Sequence, residues 1–151
     1  MQLSEHFSLK EFTYSEIATR KGIDNTPNTE MLENLRMLAL RLEGVRDVLS
    51  MPIHITSGYR SPKLNAAIGS KPTSSHVNGL AVDFICPSFG DPLEICHKLK
   101  EHWAEIEFDQ LIYEGDWVHI SCSDDHPRHE ILTAHFMNGS VLYSRGLPDA
   151  C

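Results

Sequence analysis

Apolar residues recur at steps of three and four through Met31, Leu35, Leu38, Leu42, Val45 and Leu49, while Arg36, Arg41 and Glu43 fall on the other faces. This period predicts an amphipathic helix over about residues 31–49. Asn28 or Thr29 can cap its start by accepting a backbone N–H, and Pro52 ends it. Residues 1–28 are polar and aperiodic, and are read as an irregular segment. After the helix, Ile53-His54-Ile55-Thr56 reads as a strand. Ser61-Pro62 is a cap with proline in the first turn, so a short helix over Lys63 to Ile68 is expected, closed by Gly69. Gly79 to Phe84 alternates small and large residues as a strand does. Asp91 and Glu94 form a capping-box signal ahead of a helical stripe of Leu93, Cys96, Leu99 and Trp103. Two strand pairs close the chain. Phe108 to Tyr113 and Trp117 to Cys122 flank Glu114-Gly115-Asp116, and Ile131 to Phe136 and Val141 to Ser144 flank the hairpin turn Asn138-Gly139. Helices early and hairpins late predict an α+β fold, a mainly antiparallel sheet with helices packed on one side.

The length of 151 residues allows one domain, spanning 1–151, and no second. Acidic residues exceed basic ones by 21 to 13, a formal net charge of −8, which argues against nucleic acid as the main partner. The longest apolar run is Met37 to Leu40, far short of the roughly 20 residues a bilayer span needs, so no membrane insertion is expected. The N-terminus lacks a basic start followed by an apolar stretch, and no secretory signal peptide is expected. Cys86, Cys96, Cys122 and Cys151 form no Cys-x-x-Cys pair and are read as reduced structural thiols, Cys151 being reactive through exposure alone. A monomer is expected.

Nine histidines are many for this length, but most stand in polar contexts or on helix and strand surfaces. His126 and His129 have ligand-like spacing, yet Pro127 breaks the helix that would align them. Two stretches differ. In Ser74-Ser75-His76-Val77-Asn78-Gly79-Leu80-Ala81-Val82-Asp83, alternation puts Gly79, Ala81 and Asp83 on one strand face and Leu80, Val82 and Phe84 on the other. The first face carries two near-absent side chains and then a carboxylate, leaving space above the sheet for an ion and a substrate. His76 precedes that strand and can fold over the same space. In Glu114-Gly115-Asp116-Trp117-Val118-His119, His119 lies on a strand that should pair nearby. His76, Asp83 and His119 together offer two imidazoles and a carboxylate, a three-ligand set with open positions. The bland alternative is a buried Asp–His pair between two glycine turns.

The motif Ser74-x-His76-x-x-Gly79-x-Ala81-x-Asp83, followed by Trp117-Val118-His119, resembles the zinc peptidases of the D-alanyl-D-alanine carboxypeptidase and dipeptidase group, the M15 peptidase family, which includes VanX-type dipeptidases and many phage endolysins. Ser57-Gly58-Tyr59-Arg60-Ser61-Pro62 is similar to that family's substrate-binding arginine segment. The resemblance implies zinc at His76, Asp83 and His119, a general base at Asp116, Arg60 on the substrate or developing oxyanion, and Ser74 on the substrate backbone or terminus. It further implies peptidoglycan stem peptides as substrate, cut at a D-Ala-D-Ala or L-Ala-D-Glu type bond, and the expected lack of a signal peptide fits an enzyme made in the cytoplasm and released by lysis or delivered with a virion. Two positions depart from the pattern: Val77 stands where many members carry glutamine, and Asp116-Trp117-Val118-His119 replaces the common Glu–Trp–Trp–His.

Glu114 is the alternative base. It shares strand parity with Asp116, but in an extended strand it lies roughly 17 Å from His119 against roughly 10 Å for Asp116, which favours Asp116. Trp117 shares the face of His119 and is read either as a cleft wall or as core packing. Two other functions remain open on the sequence: a non-catalytic zinc-dependent binding module on the same fold, and a non-haem iron oxygenase. The latter usually places its histidine and carboxylate two residues apart, not seven.

Overall fold

A computed structural model describes residues 1–123 and 125–150, so Cys151 lies outside the described residues. The helices are α1 (Leu9–Thr13), α2 (Glu16–Lys21), α3 (Thr29–Leu49), α4 (Pro62–Ala67), α5 (Pro92–Glu101) and α6 (Trp103–Ile106). The strands are β1 (His54–Ser57), β2 (Ala81–Ile85), β3 (Gln110–Tyr113), β4 (Val118–Ser121), β5 (Glu130–Met137) and β6 (Ser140–Arg145). The strands form one open sheet in the order β1-β2-β4-β3-β5-β6, antiparallel except for the parallel β3–β5 pair. This is the expected α+β architecture.

The long helix starts where the sequence capped it: Asn28 Oδ1 accepts from the Met31 N–H at 2.8 Å. Leu35, Leu38, Leu42, Val45 and Leu49 are buried, and each Leu-sized side chain taken from water contributes about 1.5–3 kcal/mol. They pack with Val82 and Phe84 of β2, Leu111 of β3, Val118 and Ile120 of β4, and Ile95 and Leu99 of α5. The alternate residues of β2, β3 and β4 therefore face the other side of the sheet. No described helix is long and apolar enough to cross a membrane.

Three expectations change. Although residues 23–28 are loop, the first 28 residues are not irregular throughout. They fold into α1, whose Ser8 and Glu11 form a capping box, and α2, whose Ser15 hydroxyl accepts from the Ala18 N–H. Each helix is too short for a period to show, and what holds the segment is the burial of Leu3, Phe7 and Phe12, the two rings meeting edge-on with centroids 6.1 Å apart. Trp103 does not extend the stripe of α5. The helix stops at Glu101, and Trp103 begins α6 with about half its surface exposed. Gly79 is not a strand residue that clears room for an ion. It precedes β2 at φ +70°, and a Cβ there would lie 2.9 Å from the Met31 carbonyl oxygen, so its missing side chain lets the chain pass close to α3.

Candidate metal centre and cleft

The sheet face away from the core carries the chemistry. Register places Asp83 of β2 opposite His119 of β4, His119 opposite Ile112 of β3, and Ile112 opposite Leu132 of β5, all side by side on that face. His76 reaches the same spot from the loop before β2. Two hydrogen bonds fix it against the Gly58–Arg60 segment: its Nδ1–H donates to the Gly58 carbonyl at 2.8 Å, and the Arg60 N–H donates to its carbonyl at 3.1 Å. Gly58 is required there, because a Cβ would run into the Phe12 backbone, whose carbonyl accepts from the Tyr59 N–H at 2.6 Å. The N-terminal helix α1 thus braces the segment that orients His76.

His76 Nε2 lies 3.4 Å from Asp83 Oδ1, and His119 Nδ1 lies 3.0 Å from the same oxygen. One ligand atom from each of the three residues falls within 4.8 Å of the other two. At metal–ligand lengths of about 2.0–2.2 Å, tetrahedral zinc separates its ligand atoms by about 3.4 Å, close to both spacings. The proton inventory makes the same point. With Nδ1–H given to Gly58, the His76 Nε2 presents a lone pair, and it faces a carboxylate oxygen that is also an acceptor. Burial lowers the pKa of His76, and the Asp83 carboxylate does not reverse this, so the ring stays neutral. A lone pair aimed at an anionic oxygen is unfavourable unless a cation lies between them. Burial resists ionisation of Asp83, but the imidazoles beside it, His119 first, outweigh it and hold the carboxyl well below its usual range. A neutral imidazole and an ionised carboxylate are the forms that bind metal. The residues fit a divalent cation such as zinc, and no cysteine is near enough to join the set among the described residues.

Arg60 stands beside this group, mostly buried, with its Nη2 3.9 Å from Asp83 Oδ2. Its Nη1 donates to Asn65 Oδ1 at 3.1 Å and its Nε to Ser57 Oγ at 3.4 Å. Burial lowers its pKa, partly offset by the charges of Asp83 and Glu114. Asn65 is itself buried and donates to the Lys71 carbonyl at 2.9 Å, which ties the 69–74 loop to the arginine. The sequence reading missed Asn65, and nothing in an Asn-Ala-Ala helix marks it. Ser74 lines the cleft and its hydroxyl accepts from the His76 N–H at 3.3 Å.

The two acidic residues flanking Gly115 are separated by the fold. Asp116, read from the sequence as the base, is exposed at the turn and does not line the cleft. Glu114 does. Its Oε2 accepts from the Trp117 indole N–H at 2.6 Å, and its Oε1 has no hydrogen-bond partner among the described residues. The strand-rise estimate fails because β3 and β4 are paired neighbours. Tyr113 lies opposite Val118, so Glu114 is one residue past a direct cross-strand partner of β4 and not at the end of an extended run. Burial, and then the charge of Asp83, raises the Glu114 carboxyl above its ordinary range, against the pull of His119, Trp117 and Arg60. Trp117 is half-buried and lines the cleft while orienting Glu114.

Around these groups is a cavity of about 610 Å³, within the usual range for a ligand site. One side is the 69–74 loop. The other is the β5–β6 hairpin, through Leu132, Val141 and Tyr143, which the sequence reading saw as a hairpin but did not connect with the site. Against known proteins, the family described as Peptidase M15 matches residues 5–121. No curated protein matches the chain significantly.

Proposed function

The chain belongs to the M15 peptidase family, and on that premise we propose that it is a zinc peptidase that cuts peptidoglycan stem peptides, acting on the cell wall as a phage endolysin or related hydrolase. Membership makes it a metallopeptidase at family level. The observation that carries the finer reading is the grouping in one cleft of the His76–Asp83–His119 set, the Glu114 carboxylate and the Arg60 guanidinium.

His76, Asp83 and His119 would hold the metal. Zinc supplies Lewis acidity there and lowers the pKa of a water it holds to about 7. The chain's own groups do the rest. Glu114 Oε1 takes a proton from the attacking water and returns it to the nitrogen of the leaving amine, while the Trp117 indole keeps Oε2 occupied and the carboxylate in place. The raised pKa of Glu114 suits a group that must both accept and give up a proton. Arg60, held by Asn65 and Ser57, offers its free N–H groups to the developing oxyanion or to a substrate carboxylate. Ser74 lies on the cleft wall within reach of the peptide backbone. The residue types favour a short peptide with an available carboxylate or carbonyl beside the cut bond.

The test is digestion of purified sacculi with the zinc-loaded protein, with products identified by mass spectrometry. Release of stem-peptide fragments with a new amino or carboxyl terminus is expected. Sacculi that bind the protein but keep every peptide bond would instead indicate a binding module.

A further inference from the structure

The β5–β6 hairpin lies beyond the residues matched by the family, yet it closes one side of the cleft. Tyr143 of β6 pairs with Ala134 of β5. The neighbouring residue Thr133 pairs with Tyr113 of β3, so Ala134 comes level with Glu114 in the next strand. A single methyl group therefore stands on the sheet between the Tyr143 ring and the catalytic carboxylate. Tyr143 lines the same cavity as His76, Asp83, His119 and Arg60. Its hydroxyl has no hydrogen-bond partner among the described residues, and about half of its surface is exposed. Burial, and then the charges of Glu114 and Asp83, raises the phenol's pKa, so it remains a proton donor throughout the neutral range. Leu142, the preceding residue, points to the opposite face and is exposed.

We propose that Tyr143 is a substrate-binding residue, its hydroxyl donating a hydrogen bond to a backbone carbonyl of the peptide lying between the hairpin and the 69–74 loop. This rests on the peptidase reading above. A free donor beside a carboxylate-rich centre, on a hairpin wall shared with Leu132, Val141, Gly139 and Ser140, whose hydroxyl is taken by the Met137 carbonyl, suits the polar backbone of a bound peptide and leaves the apolar side chains to pack against a small substrate side chain. The bond is made equally in the ground and transition states, so its loss raises KM and leaves kcat nearly unchanged.

The experiment compares zinc-loaded wild type, Tyr143→Phe and Leu142→Ala on the soluble stem fragment found to be cut in the sacculus digest, with zinc content and melting temperature recorded for each. Tyr143→Phe is expected to raise KM about three- to tenfold, the worth of one hydrogen bond, with zinc and melting temperature unchanged and Leu142→Ala behaving as wild type. A Tyr143→Phe variant with wild-type KM overturns the assignment and leaves the peptidase reading standing. So does one whose rate falls together with its melting temperature or zinc, since the tyrosine is then structural. A zinc-loaded wild type that cuts nothing removes the peptidase reading and, with it, the role of Tyr143.

Discussion

Exchanging Glu114 for glutamine removes proton-transfer ability while changing shape very little. A glutamine carbonyl oxygen can accept from the Trp117 indole N–H as Oε2 does at 2.6 Å, with the amide nitrogen in place of Oε1. A positioned general base is worth about 10²–10⁴-fold, or about 2.7–5.4 kcal/mol at 1.36 kcal/mol per tenfold. Asp116→Asn is the matched control. That side chain is exposed and makes no hydrogen bond among the described residues, so its replacement should cost within about 0.5 kcal/mol, roughly twofold. Initial rates of stem-peptide hydrolysis at equal zinc occupancy should thus separate the two variants by at least about 50-fold. If Asp116→Asn is the slow variant and Glu114→Gln runs near wild type, the placement of Glu114 on the cleft has been misread as function. The pH dependence adds a sign. In the metal-free protein the raised Glu114 pKa makes this carboxylate lose its charge earlier than an ordinary one as pH falls. For the metal-free protein, a raised folded pKa means that Glu114 stabilises the fold below its unfolded pKa and loses that contribution as pH rises through the folded value. At neutral pH the ionised group opposes folding, so metal-free Glu114→Gln should melt higher than metal-free wild type.

Arg60→Lys should lose roughly 10²-fold in turnover with zinc retained, because an ammonium is a point charge on a flexible stem and lacks the planar fork that Ser57 and Asn65 hold in one orientation; wild-type turnover in Arg60→Ala would remove Arg60 from the site. Converting all four cysteines to alanine should preserve zinc and turnover while lowering the melting temperature, since Cys86, Cys96 and Cys122 are buried and burial pushes the Cys96 thiol up to about 12; a folded, metal-free variant would show that the ligand set is wrong. Gly79→Ala should destabilise the protein by about 1–3 kcal/mol in urea unfolding, through its positive φ and the contact with the Met31 carbonyl, and unchanged stability would contradict that close approach.

What the sequence disclosed followed physical period. The step of three and four through α3 gave its buried face, the Asn28 cap gave its start, and strand alternation separated Asp83 from Val82 and Phe84 correctly. The grouping of His76, Asp83 and His119 was legible because each is an unusual residue type at a strand or pre-strand position. The relation between Glu114 and His119 was not legible. Counting along one extended chain cannot see that β3 turns back antiparallel on β4, which brings the more distant residue to the centre and leaves the nearer one on the turn. The N-terminal helices were hidden by their length, five and six residues, in which capping and the burial of Phe7 and Phe12 matter more than any repeat. The supports of the site were hidden for another reason. Asn65 and the Gly58 carbonyl act through contacts 6 and 18 residues away in sequence, and no local pattern announces such partners. Tyr143 became visible as a cleft residue only once β5 was seen to pair with β3 in parallel.

Titrating zinc into the chelator-stripped protein while following stem-peptide hydrolysis tests the centre directly. Turnover should rise from background in proportion to added zinc and level off at one equivalent, and His76→Ala and His119→Ala should bind little zinc and stay at background under the same titration. Hydrolysis that survives removal of the metal, or full zinc occupancy in both histidine variants, would contradict the account.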